Sequence, residues 1–522
     1  MMDETRRFHT RYHAERQPSK LAYKMCTTGE TVSFGQLEAR ANQGAHVLRQ
    51  AGLVAGDHIV ILMENRREFF EICFAADRAG LYYTTASTHL TFDEIRYIVH
   101  DCSARVVIGS DKFAGILVGL RSDLPAHRRI FVVGALVAGC DDWCAAAANQ
   151  PTTPISDEVQ GLDMLYSSGT TGRPKGIKWP LTGEPVGTNT MLIELLTSLF
   201  GYASDTRYLS PAPLYHAAPL RHSMVTIKMG GTAFIMSKFD ALNALEIIEQ
   251  ERITHSQWVP TMFVRILKLP RAEREAFDLS SLRMAVHAAA PCPVDVKHKM
   301  IDWWGPIIHE YYAGTENNGF VALDTQEWLC HVGSVGRAKL GVLHICDKNG
   351  EELPAGAEGE IYFENGHQFE YHNDPEKTAH SRNAMGWTTL GDIGRLDDQG
   401  YLYLTDRKSF VIISGGVNIY PQETENVLLS HPAVEDVAVI GVPNEDFGEE
   451  VKAVVQLMPG VTPSADLSEK LIMLCRSRLS AIKCPRSVDF RDKLPREATG
   501  KLYKRFLRDE YWRTASEKVR QP

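Results

Sequence analysis

The sequence predicts an α/β protein: a large, multi-subdomain N-terminal domain of layered, mainly parallel sheets, followed by a small α+β C-terminal domain. Three observations carry that prediction. Short apolar runs alternate with helical periodicity through the first half of the chain, the texture turns to short, turn-punctuated segments after about residue 330, and a β-α-β pattern resumes beyond residue 406.

Taken in order, Leu37, Ala41, Ala45 and Leu48 share one helical face, and Gly52 ends that helix. The run His58, Ile59, Val60, Ile61, Leu62, Met63 shows no polar alternation, the mark of a strand covered on both faces. Apolar runs at 106–108, 130–133, 164–166, 233–236 and 307–312 repeat the beat, with helical stretches such as 241–251 and 294–304 between several of them. Asn349-Gly350, Pro354, Gly356 and Gln399-Gly400 fall at hairpin-like spacing, which places a β-rich subdomain at about 331–405. Strands are expected at 437–440 and 451–457 and a helix at 467–479. Residues 1–405 and 406–522 therefore read as two domains, with the boundary near 405–409.

A chain of 522 residues, 44% hydrophobic and 23% charged, is long enough for a large buried core and excludes disordered and fibrous classes. Its net charge of −9 and the lack of a Lys/Arg-rich face argue against a nucleic-acid partner. The ten cysteines include one close pair, Cys140 and Cys144, with no second pair or histidines at zinc spacing, so reduced thiols are expected. The N-terminus carries Arg, His and Glu where a leader needs apolar residues, and the longest apolar run, 130–140, falls short of the ~20 residues of a membrane span. A cytoplasmic protein with no membrane span is expected.

The segment Tyr166-Ser167-Ser168-Gly169-Thr170-Thr171-Gly172-Arg173-Pro174-Lys175-Gly176 carries the most chemistry. It follows an expected strand and combines four hydroxyls, three glycines and a lysine, so backbone N–H groups, hydroxyl donors and a cation can converge on phosphate oxygens. Gly-Lys-Ser/Thr is absent and Pro174 precedes the lysine, so a Walker loop entering a helix is not expected.

With these residues the chain resembles the adenylate-forming enzymes: acyl- and aryl-CoA synthetases, peptide-synthetase adenylation domains and firefly luciferase. Further blocks resemble the family's motifs in the same order: Pro213-Leu214-Tyr215-His216, Ala288-Ala289-Ala290-Pro291, Tyr312-Ala313-Gly314-Thr315-Glu316, Gly333-Ser334-Val335-Gly336-Arg337, Gly391-Asp392, Asp406-Arg407-Lys408, Ser414-Gly415-Gly416-Val417-Asn418-Ile419-Tyr420-Pro421 and Thr499-Gly500-Lys501. Within the family the chain is most similar to bacterial fatty-acyl-CoA and steroid-acid-CoA synthetases.

The resemblance implies an acid–thiol ligase that uses ATP, Mg²⁺ and coenzyme A: a carboxylic acid becomes an acyl-adenylate with loss of pyrophosphate, and a thiol then displaces AMP. It makes Lys501 the lysine that reaches the carboxylate and α-phosphate, Thr315 an α-phosphate donor and Glu316 the Mg²⁺ ligand. Ser167, Ser168, Gly169, Thr170, Thr171, Gly172 and Lys175 would bind phosphates. Ala289, Glu310, Tyr311 and Tyr312 would frame the adenine side, and Asp392 and Arg407 the ribose. His216 would gate an acyl pocket lined by Ala217, Ala218, Leu220, Trp258, Val259, Ala288, Ala313, Gly314 and Phe320. Ser414, Gly415 and Gly416 would flank the incoming thiol, and Ser409 would be the hinge of a mobile C-terminal domain.

Some positions depart from the commoner pattern. Ser167 replaces a frequent Thr, Ala313 and Gly314 stand where Gly and a variable residue usually do, Ser409 replaces Asp or Lys, and Phe410 and Val417 replace more polar residues. Ala217 stands where amino-acid-activating relatives hold a carboxylate, so an ammonium would be left unpaired there and α-amino acids are disfavoured. The small and apolar lining favours a long-chain fatty or polycyclic steroid acid. Two other readings stay open: a stand-alone adenylating enzyme that loads a separate carrier protein, and a non-catalytic nucleotide- or acyl-binding paralogue. Monomer and homodimer are both compatible with the sequence.

Overall fold

Runs of β-branched and aromatic residues without polar alternation form the central strands, because both faces of those strands are covered. The computed structural model describes residues 7–167, 174–407, 410–414, 417–444, 446–496 and 502–519, without the side chains of Arg407 and of 514–519. The chain divides into two compact units: Met1–Trp258, Leu269–Val286 and Gln368–Ala379 in one, Val259–Lys268, His287–His367 and His380–Pro522 in the other.

The first unit contains an all-parallel six-stranded sheet in the order Asp141–Asp142, Arg129–Val133, Val106–Ser110, His58–Leu62, Tyr82–Thr85, Leu162–Asp163. Every residue of His58–Leu62 is buried, as its unbroken apolar run predicts. In a second sheet the strands His255–Trp258, Arg207–Ser210, Thr232–Ile235 and Leu21–Met25 run parallel, and Thr31–Ser33 pairs antiparallel at the edge.

The helix predicted around residues 37–48 spans Phe34–Gln50, and a reciprocal Ser33/Gln36 capping box opens it. Its Gly44 permits close approach of the helix Glu68–Arg78, since a Cβ there would lie 2.8 Å from that of Ala75. Glu68–Arg78 is buried on all sides, charged residues included. Its charged residues Glu68, Glu71 and Arg78 would read as a solvent-facing side, so the sequence does not reveal that burial.

The second unit is mostly antiparallel. Ile308–Tyr312, Phe320–Leu323 and Arg337–Leu340 pair in succession. The expected β-rich region forms a four-stranded sheet of Val342–Cys346, Gly359–Glu364, Thr388–Leu396 and Leu402–Arg407. Beyond it, Val434–Asn444 and Gly448–Leu457 make a long hairpin flanked by Ile412–Ser414 and by the parallel strand Ser487–Phe490. The helices Pro421–Leu429 and Ala465–Arg476 supply Leu428, Leu471 and Cys475 to its apolar core.

All ten cysteines are free thiols, five of them buried. Among the described residues no helix is long and apolar enough to cross a membrane.

Candidate active site

In the first unit the hydroxyl- and glycine-rich segment joins two antiparallel strands, Leu165–Ser167 and Lys175–Lys178, with Ser167 directly opposite Lys175. The lysine thus opens a strand and not a helix, as its proline predecessor predicts. Residues 168–173, with the expected phosphate donors Ser168, Gly169, Thr170, Thr171 and Gly172, lie outside the described residues. Gly176 has no room for a side chain, because a Cβ would meet Met164 Cε at 2.8 Å and Tyr166 Cζ at 2.9 Å. Lys175 Nζ sits 4.9 Å from the centre of the Tyr371 ring, a cation–π contact that aims the ammonium. Below the strand end, the Tyr166 hydroxyl donates to Asp101 Oδ2 at 2.5 Å, and burial pushes that phenol far above its usual range.

His216 is the residue before the helix Ala217–Lys228. The loop that delivers it is clamped by the buried Asn65, whose Oδ1 accepts from Leu214 N at 2.7 Å and whose Nδ2 donates to Ala212 O at 3.1 Å and Met236 O at 2.8 Å. Thr85 Oγ1 adds a bond to Tyr215 O at 3.1 Å. Asn65 lies far from this loop in sequence and within no motif, so no local signal marks it.

On the helix, Ala217 and Ala218 are half-buried, while Leu220 is sealed. Trp258 is also sealed, its indole N–H donating to Ser256 Oγ at 2.7 Å. One turn on, His222 Nδ1 pairs with the Tyr202 hydroxyl at 2.8 Å. Burial, reinforced by nearby His255, lowers the His222 pKa to about 3, so this imidazole stays neutral behind the helix.

In the second unit the expected nucleotide residues cluster on one hairpin loop and one strand. Ile308–Tyr312 and Phe320–Leu323 are antiparallel, with Tyr312 opposite Val321, so residues 313–319 form the connection that carries Thr315 and Glu316. Asn317 N donates to Gly314 O at 3.1 Å, and Asn317 takes the left-handed conformation at φ 54°. Asn318 is buried and donates from Nδ2 to Thr388 Oγ1 at 3.1 Å. The Tyr312 hydroxyl donates to Asp392 Oδ2 at 2.7 Å. Both bonds tie the loop to the strand Thr388–Leu396, and on that strand Asp392 lies opposite Arg407.

Glu316 is buried, and its carboxylate folds over Gly314, where a Cβ would come within 2.8 Å of Oε2 and 2.5 Å of Leu390 Cδ1. Among the described residues no three His, Cys, Asp or Glu side chains form a metal cage. A lone carboxylate fits a hard cation that brings phosphate oxygens and water with it, which is how Mg²⁺ usually binds.

The tyrosines and the glutamate do different things. Tyr311 is buried and stacks on Phe320, with ring centres 4.9 Å apart. Glu310 points into the interior, where Oε2 meets Lys297 Nζ at 2.5 Å and His287 Nε2 at 3.4 Å. Burial pushes the Glu310 pKa up against the pull of Lys297, and drives that of His287 well down. Any contact of Glu310 with adenine would thus come from its main chain.

Ala288 is buried, whereas Ala289 is exposed with φ 74°. That conformation costs a residue with a Cβ roughly 1–2 kcal/mol. Val259 and Phe320 are buried, and Ala313 and Gly314 half-buried. Ser414 is buried opposite Val417. Ser409, Gly415, Gly416 and Lys501 lie outside the described residues.

Sequence reasoning missed Lys297. Its one trace is a lysine three residues before Met300 on the buried stripe of the helix Val294–Trp304.

Comparison with known proteins identifies the family. Residues 10–370 match the AMP-binding enzyme family and residues 423–501 the AMP-binding enzyme C-terminal domain. The chain is 34% identical over 490 residues to a feruloyl-CoA synthase of an Amycolatopsis species, covering 92% of this chain and 94% of that one. It is 32% identical over 512 residues to a long-chain-fatty-acid–CoA ligase of Mycobacterium tuberculosis, covering 96% and 97%. The crystal structure of an anthranilate CoA ligase in complex with anthranoyl-AMP superposes with a TM-score of 0.83 at 25% identity, covering 97% of each chain. The chain belongs to the AMP-binding, adenylate-forming enzyme family and is a ligase of the acid–thiol class.

Proposed function

We propose that the protein joins a bulky hydrophobic carboxylic acid to coenzyme A through an acyl-adenylate. The observation that carries the substrate class is the start of the helix Ala217–Lys228, Ala-Ala-Pro-Leu. It offers small and apolar side chains beside His216 and no carboxylate for a substrate ammonium. The relatives named for feruloyl and long-chain fatty acids support an acid of that kind.

In this reading Lys175 and the hydroxyls after Ser167 hold the phosphates, and Thr315 donates to the α-phosphate. Asp392, held by Tyr312, accepts from the ribose hydroxyls opposite Arg407. Glu316 holds Mg²⁺, which when bound screens the phosphate charge. Lys501 approaches the substrate carboxylate and α-phosphate, so charge that builds during adenylation meets a fixed cation. His216 and the residues after it shape the acyl pocket. Ser409 is the turning point between half-reactions, and Ser414, Gly415 and Gly416 border the thiol path.

Mass spectrometry after incubation with ATP, Mg²⁺ and coenzyme A tests this across fatty, aromatic and steroid acids. The expected result is an acyl-CoA with one AMP per thioester, fastest with bulky apolar acids. Preference for acetate or an amino acid would overturn the pocket assignment. An acyl-adenylate that accumulates without thioester would transfer the acceptor role to a carrier protein.

A further inference from the structure

Asn65 is buried just beyond the end of the strand His58–Leu62, and Thr85 is the last residue of its parallel neighbour Tyr82–Thr85. Ala212 and Met236 follow the ends of Arg207–Ser210 and Thr232–Ile235, parallel neighbours in the second sheet. The carboxyl ends of four parallel strands from two sheets thus meet around one amide. Crevices outside the carboxyl ends of parallel strands are where α/β proteins usually receive their ligands.

The amide is engaged at both ends. Its carbonyl accepts from Leu214 N at 2.7 Å, and its NH₂ group donates to Ala212 O at 3.1 Å and Met236 O at 2.8 Å. Asparagine is the smallest side chain that can accept once and donate twice. An ionised Asp of the same shape only accepts, and an apolar residue would leave three buried main-chain groups unmade.

The loop held in this way is Pro211-Ala212-Pro213-Leu214-Tyr215-His216. Its two prolines bring no N–H, and its turn bond, from His216 N to Pro213 O, is 3.3 Å long. Its course therefore depends on side chains from outside. Thr85 Oγ1 supplies a second clamp by donating to Tyr215 O at 3.1 Å. Leu214 and Tyr215, which the two clamps grip, directly precede His216. His216 itself enters the helix Ala217–Lys228 with extended backbone, φ −96° and ψ 152°, and without a side-chain cap bond. The origin of its imidazole, and the place of Ala217 after it, thus follow from the loop backbone.

We propose that Asn65, assisted by Thr85, is the positioning residue of the acyl gate: it sets where His216 and Ala217 stand, and through them which size of acid the enzyme prefers. The proposal rests on the reading of His216 as the gate of the acyl pocket. Among the described residues neither Asn65 nor Thr85 bonds to a residue assigned to ATP, so loss of the clamp alters the handling of the acid and spares that of the nucleotide.

Asn65→Asp, Thr85→Val and His216→Ala proteins test this with a large and a small acid that the protein turns over, hexadecanoic with hexanoic or ferulic with benzoic acid. The readouts are kcat/KM for each acid and the KM for ATP. Asn65→Asp keeps the acceptor and loses both donors. It is expected to lower kcat/KM for the large acid roughly ten- to hundredfold, the scale of an ångström-sized misplacement. The large-to-small preference should change by about tenfold, the worth of one apolar contact in a pocket. The KM for ATP should move less than about twofold, the margin for binding that does not use the clamp. Thr85→Val removes one hydroxyl bond at nearly constant shape and should shift the preference in the same direction by roughly threefold. If Asn65→Asp does not fold, Thr85→Val decides. A purely structural clamp would lower the unfolding midpoint and leave the preference unchanged. That result, or acid and ATP KM values that rise together, overturns the proposal. An altered preference in His216→Ala beside a native preference in the clamp variants removes the positioning role alone. A native preference in His216→Ala removes the gate reading and the positioning role together.

Discussion

In the first unit a buried guanidinium, Arg78, reaches Glu38 Oε2 at 2.7 Å and Thr10 Oγ1 at 3.1 Å, and also donates to Asn42. In the second unit a buried ammonium, Lys297, meets Glu310 beside a buried imidazole, His287. The first cluster joins three helices, Thr10–Arg16, Phe34–Gln50 and Glu68–Arg78, and carries none of the expected site residues on its own strands or loops. The second sits on Ile308–Tyr312, the strand that leads into Thr315 and Glu316.

Their electrostatics differ as well. Burial opposes ionisation of Glu38, yet Arg78 holds its carboxyl well below the usual range. At Glu310 burial prevails and the pKa rises. The guanidinium cluster makes several charge-assisted bonds to its acid, whereas neither nitrogen of His287 makes a hydrogen bond among the described residues. Similar charges thus serve one region as a tie with several bonds to one carboxylate and the other as a less bonded support beneath the expected site, although Arg78 Nε also lacks a hydrogen bond among the described residues.

Removing the cation tests this most strongly. Arg78→Met and Lys297→Met should each cost about 3–5 kcal/mol in urea unfolding, because each strands a buried carboxylate. Only Lys297→Met should also raise the KM for ATP in the protein that remains folded. Equal KM values in the two variants would break the comparison.

The next effect falls within the second unit. Tyr312→Phe removes a bond to a carboxylate worth at most about 1.5–3 kcal/mol to the fold, so urea unfolding should show a loss within that bound, and the KM for ATP should rise about tenfold as Asp392 loses that hold. A large stability loss with unchanged KM would make the bond structural.

Glu38 and His287 should also respond differently to acid. His287 is held neutral in the fold but binds a proton near its ordinary pKa when unfolded. Stability is therefore lost as pH falls below about 6.5, by at most ~1.4 kcal/mol per pH unit. His287→Leu should flatten the profile by that amount. Glu38 has the opposite donor balance: its contribution is complete above about 4.5 and fades only as pH falls below that value toward its depressed folded pKa. Glu38→Gln should leave the slope between pH 5 and 7 unchanged. Unfolding curves measured across pH 3–8 separate the two.

The smallest effect is at Gly314. Gly314→Ala would push on Glu316 Oε2 and Leu390, and adenylation should fall by about tenfold, equivalent to ~1.4 kcal/mol. Partial recovery at raised Mg²⁺ would trace the loss to Glu316.

Where burial leaves a periodic trace, the sequence reveals the fold. The strand His58–Leu62 and the helices Phe34–Gln50 and Val294–Trp304 announce themselves, and so do the turn signals of the β-rich sheet. The complete burial of the helix Glu68–Arg78 is not legible, because its charges are neutralised inside the fold and not by water. The site divides along the same line. Local motifs identify Lys175, Thr315 and Glu316 as candidates. The Tyr312–Asp392 bond, the Asn65 clamp and the inward turn of Glu310 toward Lys297 depend on which distant segments the topology makes neighbours.

The parallel pairing of Leu21–Met25 with Thr232–Ile235 has a consequence for biosynthesis. Tyr23, Lys24 and Met25 align with Ala233, Phe234 and Ile235. At a ribosomal pace of about 5–20 residues per second, the early strand waits roughly 10–40 seconds for that partner. Until then only Thr31–Ser33 is available to cover one of its edges. The other edge of an apolar strand stays open on the nascent chain, which is the exposure that invites association with a second copy. Slow synthesis before residue 232 should therefore lower the yield of folded protein, while the hairpin of Val434–Asn444 with Gly448–Leu457 closes on itself almost as soon as it emerges.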